Sequence, residues 1–236
     1  MLDFTGQVVV VTGAGGNLGS AIAQTLARQG AMLALADKRQ PKLERTLAGM
    51  VGHGHLTIAG ADVRTREGAA HIVAETLARF GRIDALANTV GTFKMAAVAD
   101  GAADDWSLLM DSNALSALRL SEAVLAPMRQ SGYGRIVHIS AGAAQRSFAG
   151  AGVYAASKAA VLRITEAVAE ENKVHAITAN CVLPGTIDTP QNRADMPTAD
   201  HTLWVSPANI AAVVAFLLSR EAGAVTGAAV PVNGRQ

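Results

Sequence analysis

Apolar positions along the chain fall into short unbroken runs separated by longer segments with helical spacing, and the alternation repeats from end to end. Val8 to Val11 is a continuous apolar run closed by Thr12-Gly13, the pattern of a strand buried on both faces. Leu18, Ile22 and Leu26 then share one face of a helix that Gly30 closes. Met32 to Ala36 predicts a second strand, Leu43 to Leu47 a short helix and Leu56 to Ala59 a third strand. Thr65 to Phe80 reads as a helix stopped by Gly81, followed by a strand over Ile83 to Ala87. Ala103 to Met128 reads as one long helix with Pro127 near its end, and Val153 to Glu170 as another. Strands are expected at Arg135 to Ile139, His175 to Leu183 and Ala228 to Val232, with a helix at Pro207 to Leu218.

Strands alternating with helices over the whole length imply an α/β fold: a Rossmann-type, doubly wound parallel sheet of about seven strands with helices on both faces. No internal repeat or linker divides the chain, so residues 1–236 are expected to form a single domain. Only 186–206 is irregular, rich in Pro, Asp, Asn and Thr. A loop of roughly twenty residues in a compact domain is usually functional, and a substrate lid is the expectation.

Composition narrows the class. Half of the residues are hydrophobic and 17% are charged, which excludes a disordered chain, and the 4% of aromatics implies an aliphatic core. Lys+Arg 20 against Asp+Glu 19 gives a charge of +1 without a basic cluster, so nucleic acid is not expected as a partner. The single cysteine, Cys181, permits no internal disulfide. The beginning of the chain lacks the basic and apolar regions of a signal peptide, and no apolar run is long enough to span a bilayer. The expectation is a cytoplasmic protein that makes no membrane contact.

Three features carry chemistry. In VVVTGAGGNLGS, residues 9–20, a strand runs through a glycine-rich turn into a helix. Backbone N–H groups and the helix N-terminus there can face a pyrophosphate. Asp37, ending the second strand, can accept hydrogen bonds from an adenosine ribose and repels a 2′-phosphate, which favours NAD over NADP; the adjoining Lys38 and Arg39 soften that preference. Tyr154 and Lys158 lie four apart and so share a helix face. A nearby ammonium favours the phenolate and would bring the phenol closer to neutral pH.

Together and in this order, the motifs resemble the short-chain dehydrogenase/reductase family across essentially the whole chain. TGAGGNLG is similar to the family's glycine loop, and ANTVG, residues 87–91, to its Asn-Asn-Ala-Gly turn. YAASK, residues 154–158, resembles the active-site motif, and PGTIDT, residues 184–189, the segment that closes on the nicotinamide. The resemblance implies Tyr154, Lys158 and Asn113 as the catalytic set, Asn113 ordering a water toward the lysine. It implies that Gly13, Asn17, Leu18, Gly19, Asp37, Asp62, Val63, Asn88, Gly91, Pro184, Gly185 and Thr189 hold the dinucleotide, with Tyr154 and Lys158. It also implies a homo-oligomer, a tetramer or a dimer, paired through the two long helices.

Two positions depart from the family. Asn17 stands where glycine is usual, a site where Asn would tolerate left-handed backbone. Ala141 stands thirteen residues before Tyr154, where the family carries its catalytic serine, with Ser140 beside it. Adjacent strand residues point to opposite faces, so Ser140 would serve only after a local bulge or a one-residue shift. The segment 183–204 and SAGAA, residues 140–144, resemble dihydropteridine reductases, family members that also lack the serine. The implied function is hydride transfer between nicotinamide and a small carbonyl or quinonoid substrate. The alternatives are an ordinary alcohol or ketone dehydrogenase using Ser140, and a non-catalytic dinucleotide sensor. His53-Gly-His55 has no partners for a metal site, and none is expected. His138 reads as a satisfied core or rim histidine and Cys181 as packing. Trp204 and Met196 either cover the substrate or anchor the loop.

Overall fold

In a computed structural model describing residues 2–235, seven strands form one parallel sheet. The elements are β1 (Val8–Thr12), α1 (Asn17–Arg28), β2 (Met32–Asp37), α2 (Gln40–Ala48), β3 (Leu56–Ala59), α3 (Arg66–Phe80) and β4 (Ala85–Asn88). They continue with α4 (Trp106–Leu109), α5 (Ser116–Ser131), β5 (Gly134–Ile139), α6 (Gly152–Asn172), β6 (Ile177–Pro184), α7 (Pro190–Asp195), α8 (Pro207–Leu218) and β7 (Ala229–Val232). The strand order is β3-β2-β1-β4-β5-β6-β7. The chain therefore reverses its direction of travel across the sheet at β1 and β4, which opens a crevice beyond their carboxyl ends.

The continuous apolar runs follow from burial on both faces. Val9, Val11, Leu33 and Leu35 pack with Ile22 and Val214 beneath α1 and α8. Val10, Ala34 and Leu86 pack with Ile72, Leu120 and Val168 beneath α3, α5 and α6. Gly81 stops α3 in the left-handed conformation at φ 73°, as its place in the sequence predicts.

Three sequence expectations need correction. The helix expected at Ala103–Met128 is not continuous: a 3₁₀ turn (Ala102–Asp105), α4, a π-helical turn (Met110–Leu115) and α5 succeed one another. Asn113 lies in the π-helical turn, and its carboxamide bonds outward to other elements, as described below. The segment 186–206 is not structureless. Thr189 caps α7 by accepting a bond from Asn192 N at 3.1 Å, Pro190 occupies the first helical turn, and an Ile187–Val205 bridge closes the segment at its base. Finally, β4 starts two residues late and β6 begins at Ile177, because His175 belongs to a 3₁₀ turn and Ala176 takes φ 54°.

Candidate active site

The crevice beyond β1 and β4 holds a cavity of about 530 Å³, bordered by Gly13, Gly16, Asp37, Asp62, Val63 and Gly91 among others. Gly13 has φ 69°, and a Cβ there would lie 2.7 Å from Thr89 Oγ1. A Cβ at Gly19 would collide with the Gly13 carbonyl, so α1 starts pressed against the end of β1. Asn17, with Leu18 behind it, opens α1 in right-handed conformation; no left-handed residue is required there, and the left-handed tolerance expected of Asn17 is not used. The turn between β1 and α1 thus leaves backbone rather than side chains facing the cavity, the cradle that a pyrophosphate needs.

The end of the cavity beside β2 is framed by four charged side chains, Asp37, Lys38, Asp62 and Arg64. Asp37 Oδ2 accepts from Gly15 N at 3.2 Å and Oδ1 from Arg39 N at 3.0 Å, which fixes the carboxylate at the end of β2. Lys38 turns away to pair with Asp62 at 3.1 Å. Arg64 forks onto the same Asp62 carboxylate, with Nη2 2.6 Å from Oδ2. Arg64, and secondarily Lys38, hold the Asp62 carboxyl well below the usual carboxylate range, although burial opposes them.

Behind Gly91, which borders the cavity, stand Lys158 and, one turn earlier on α6, Tyr154. Lys158 is buried, and its Nζ donates to Ile139 O at 2.9 Å and sits 6.0 Å from the Tyr154 ring centre. Burial pushes the Lys158 ammonium down to about 8 and the Tyr154 phenol up to about 12. The expected lowering of the phenol by its lysine is therefore not realised: with the ammonium turned to a carbonyl, desolvation of the phenolate wins. Gly91 makes the approach possible, since a Cβ there would stand 2.7 Å from Asn113 Oδ1 and 3.0 Å from Lys158 Nζ.

Asn113 is buried and fully engaged. Its Nδ2 donates to Thr92 O at 3.0 Å and Ser157 Oγ at 2.8 Å, and its Oδ1 accepts from Thr92 N at 2.8 Å. Ser157 in turn donates to Tyr154 O at 2.7 Å. The carboxamide thus ties the Thr92 strap to the turn of α6 that carries the tyrosine. Thr92 and Ser157 escaped sequence reasoning. Ser157 sits inside the YAASK motif, but nothing local distinguishes Thr92.

Ser140 faces α6, where its Oγ donates to the Lys158 backbone carbonyl at 2.8 Å. It is 3% exposed. Ala141 follows in extended backbone at φ −161°, so its Cβ points to the opposite side. No bulge recruits the serine. Phe93 packs edge-on against Tyr154, with ring centres 4.7 Å apart at 87°, and Phe148 and Met95 are also half exposed on neighbouring segments. Pro184 ends β6, and Gly185 follows it with its N donating to Val232 O. His53 and His55 have no metal-binding companions among the described residues. Trp204 is buried and packs against His201 with the rings tilted by 47°, whereas Met196 is exposed. Cys181 is buried beside Thr165, with its thiol pushed up to about 11 by burial, as packing requires.

A glycine turn entering a helix, an acid at the end of β2 and a tyrosine–lysine pair above the same crevice define a dinucleotide-dependent oxidoreductase. The family model for short chain dehydrogenase matches residues 7–200, and the chain belongs to that family. It is 34% identical over 247 residues to the 3-oxoacyl-[acyl-carrier-protein] reductase FabG of Pseudomonas aeruginosa, covering 99% of this chain and 98% of the relative. It is 31% identical to nodulation protein G of Rhizobium sp. (strain N33), over 99% and 98% of the two chains. The crystal structure of levodione reductase superposes with a TM-score of 0.91 at 31% identity, covering 98% of this chain and 97% of that one. The protein is accordingly an enzyme that transfers hydride between a nicotinamide dinucleotide and a small carbonyl-type substrate. Among the described residues no helix is long and apolar enough to cross a membrane.

Proposed function

We propose that the protein is an NADH-dependent reductase of conjugated or quinonoid acceptors, with Tyr154 as its proton donor. The observation that carries this reading is the missing second donor: Ala141 offers no hydroxyl, and that of Ser140 is engaged by the Lys158 carbonyl. A simple ketone gathers negative charge on one oxygen as it is reduced, and losing one of two donors there typically costs about 100- to 1,000-fold. A quinonoid acceptor spreads that charge through its ring. Phe93, Met95 and Phe148 supply an apolar rim suited to such a ring.

The bound nicotinamide supplies the hydride, and the chain supplies position and a proton. The Gly13–Gly19 turn cradles the pyrophosphate, and Asp62 and Val63 border the adenine. Asp37 accepts from the ribose hydroxyls and disfavours a 2′-phosphate. Asn88 and Gly91 flank the nicotinamide ribose, with Lys158 as its hydrogen-bond donor. Pro184, Gly185 and Thr189 border the nicotinamide, and 186–206 acts as a lid. Tyr154, protonated at neutral pH, donates to the heteroatom that becomes electron-rich. Lys158 Nζ, once released from Ile139 O, stabilises the phenolate left behind. Asn113 holds the Thr92 strap and α6 together.

The enzyme is expected to work as a homo-oligomer, most simply a tetramer, in the cytoplasm. Half-exposed Trp106 and the neighbouring Leu108 and Leu118 give the α4–α5 face the apolar character of a subunit contact. A second reading, an ordinary ketone reductase, is favoured by the names of the FabG and levodione reductase relatives. Initial rates with quinonoid dihydropterin, a simple quinone and a small ketone separate the two. The quinonoid acceptors are expected to be faster, and a faster ketone would overturn the proposal.

A further inference from the structure

A chain of buried polar side chains runs from β1 through the sheet to α5. Thr12 Oγ1 donates to Asn88 Oδ1 at 2.8 Å, and Val90 N donates to the same oxygen at 3.1 Å. Asn88 Nδ2 lies 3.1 Å from His138 Nδ1, and His138 Nε2 lies 2.9 Å from Ser121 Oγ. Ser121 Oγ also donates to Ala117 O at 2.9 Å. His138 is wholly buried.

The Asn88 end of the chain fixes where the protons lie. A backbone N–H can only donate, so the Asn88 atom facing Val90 is oxygen and the atom facing His138 is the amide nitrogen. That nitrogen donates, so His138 Nδ1 accepts. A neutral ring with Nδ1 accepting carries its proton on Nε2, which donates to Ser121 Oγ, and the Ser121 hydroxyl in turn donates to Ala117 O. Burial agrees, holding the imidazole down to about 4.

The Asn88 carboxamide fixed in this way carries the Asn88–Gly91 turn. Thr89 bonds back to Thr12 O through both N, at 3.2 Å, and Oγ1, at 2.8 Å, beside the dinucleotide turn. Gly91, three residues on, is wedged against Asn113 and Lys158. We propose that His138 is a positioning residue: locked as the Nε2–H tautomer, it orients Asn88 and thereby sets the turn that joins the dinucleotide cradle to the catalytic pair. The inference goes beyond the proposed substrate and needs only dinucleotide binding.

The test compares His138→Leu, which removes both bonds, with His138→Asn, whose Oδ1 can still accept from Asn88. Calorimetric NADH affinity, kcat and melting temperature are measured for each. His138→Leu is expected to weaken NADH binding about tenfold, the factor that about 1.4 kcal/mol represents, and to lower kcat. His138→Asn is expected to restore both to within about threefold, although Ser121 keeps only its bond to Ala117 O in each variant. Unchanged affinity and kcat in His138→Leu, with only the melting temperature lowered, would make the histidine a packing residue and overturn the proposal. So would a His138→Asn variant as impaired as His138→Leu. If the variants do not fold, or the wild type binds neither dinucleotide (a failure of the proposed function), ¹⁵N NMR of the wild-type ring decides. A protonated Nε2 with a bare Nδ1 is expected, and a protonated Nδ1 overturns the assignment.

Discussion

Replacing Ser140 by alanine discriminates most sharply between the two ways this site could handle negative charge. The Ser140 hydroxyl is buried and donates to the Lys158 carbonyl at 2.8 Å, so it pins the end of β5 to α6. Losing one neutral buried hydrogen bond of this kind costs about 1 kcal/mol. In a domain of this size that lowers the melting temperature by about 2–4 °C. The carbonyl keeps its helical position, and the new methyl leaves no buried polar atom of its own, so nothing larger is expected. Were Ser140 the missing oxyanion donor, its loss would instead cost about 100- to 1,000-fold in kcat. The two expectations lie far enough apart for initial rates and a thermal melt to separate them. Ser140→Ala is expected to keep kcat within about threefold of wild type and to lower the melting temperature slightly. A loss of more than tenfold with an unchanged melt would refute that expectation. The reciprocal change, Ala141→Ser, enters at extended backbone that any residue adopts. It is expected to raise the rate on a small ketone by about tenfold or more, and the rate on a quinonoid acceptor much less.

The other expectations are these. Asp37→Ala should raise NADPH use relative to NADH by about tenfold, read from kcat/KM for each cofactor, and an NADPH preference in the wild type would show that Arg39 overrides the acid. His138 titrates near 4 in the folded chain against 6.5 when free, so the unfolded chain binds its proton first. Stability is therefore complete above about pH 6.5 and falls as the pH drops toward 4, by up to about 3 kcal/mol, in urea melts; His138→Asn should remove that part of the slope. Light scattering at micromolar concentration should give four times the chain mass, and a monomer would refute the role given to the Trp106–Leu118 face.

Much of this architecture is legible in the residues themselves. Val8–Val11 and the other apolar runs announce strands because both faces of the sheet are covered, and Gly81 stops α3 where its freedom at positive φ is needed. The Tyr154–Lys158 spacing on one helix face also transfers directly to space. What could not be read depended on distant partners. The π turn around Asn113 is tied to Thr92 and Ser157, which lie on other segments of the chain. The direction of Ser140 was set by alternation along β5, but its acceptor, the Lys158 carbonyl, belongs to a helix eighteen residues away. The phenol went the other way from expectation because burial desolvates it while the Lys158 ammonium, 6.0 Å from the ring centre, donates to Ile139 O, an outcome of tertiary packing.

The central claim is that Tyr154 donates the proton in a nicotinamide-dependent reduction, and Tyr154→Phe tests it most directly. The change deletes one hydroxyl and keeps the ring that packs against Phe93. General acid catalysis contributes about 100- to 10,000-fold, so turnover of the best acceptor should fall by at least about a hundredfold. NADH affinity, measured by calorimetry on the same sample, should stay within about threefold of wild type, because cradle contacts to the dinucleotide are untouched. Retention of more than about a third of wild-type turnover, with NADH still bound, would contradict the assignment.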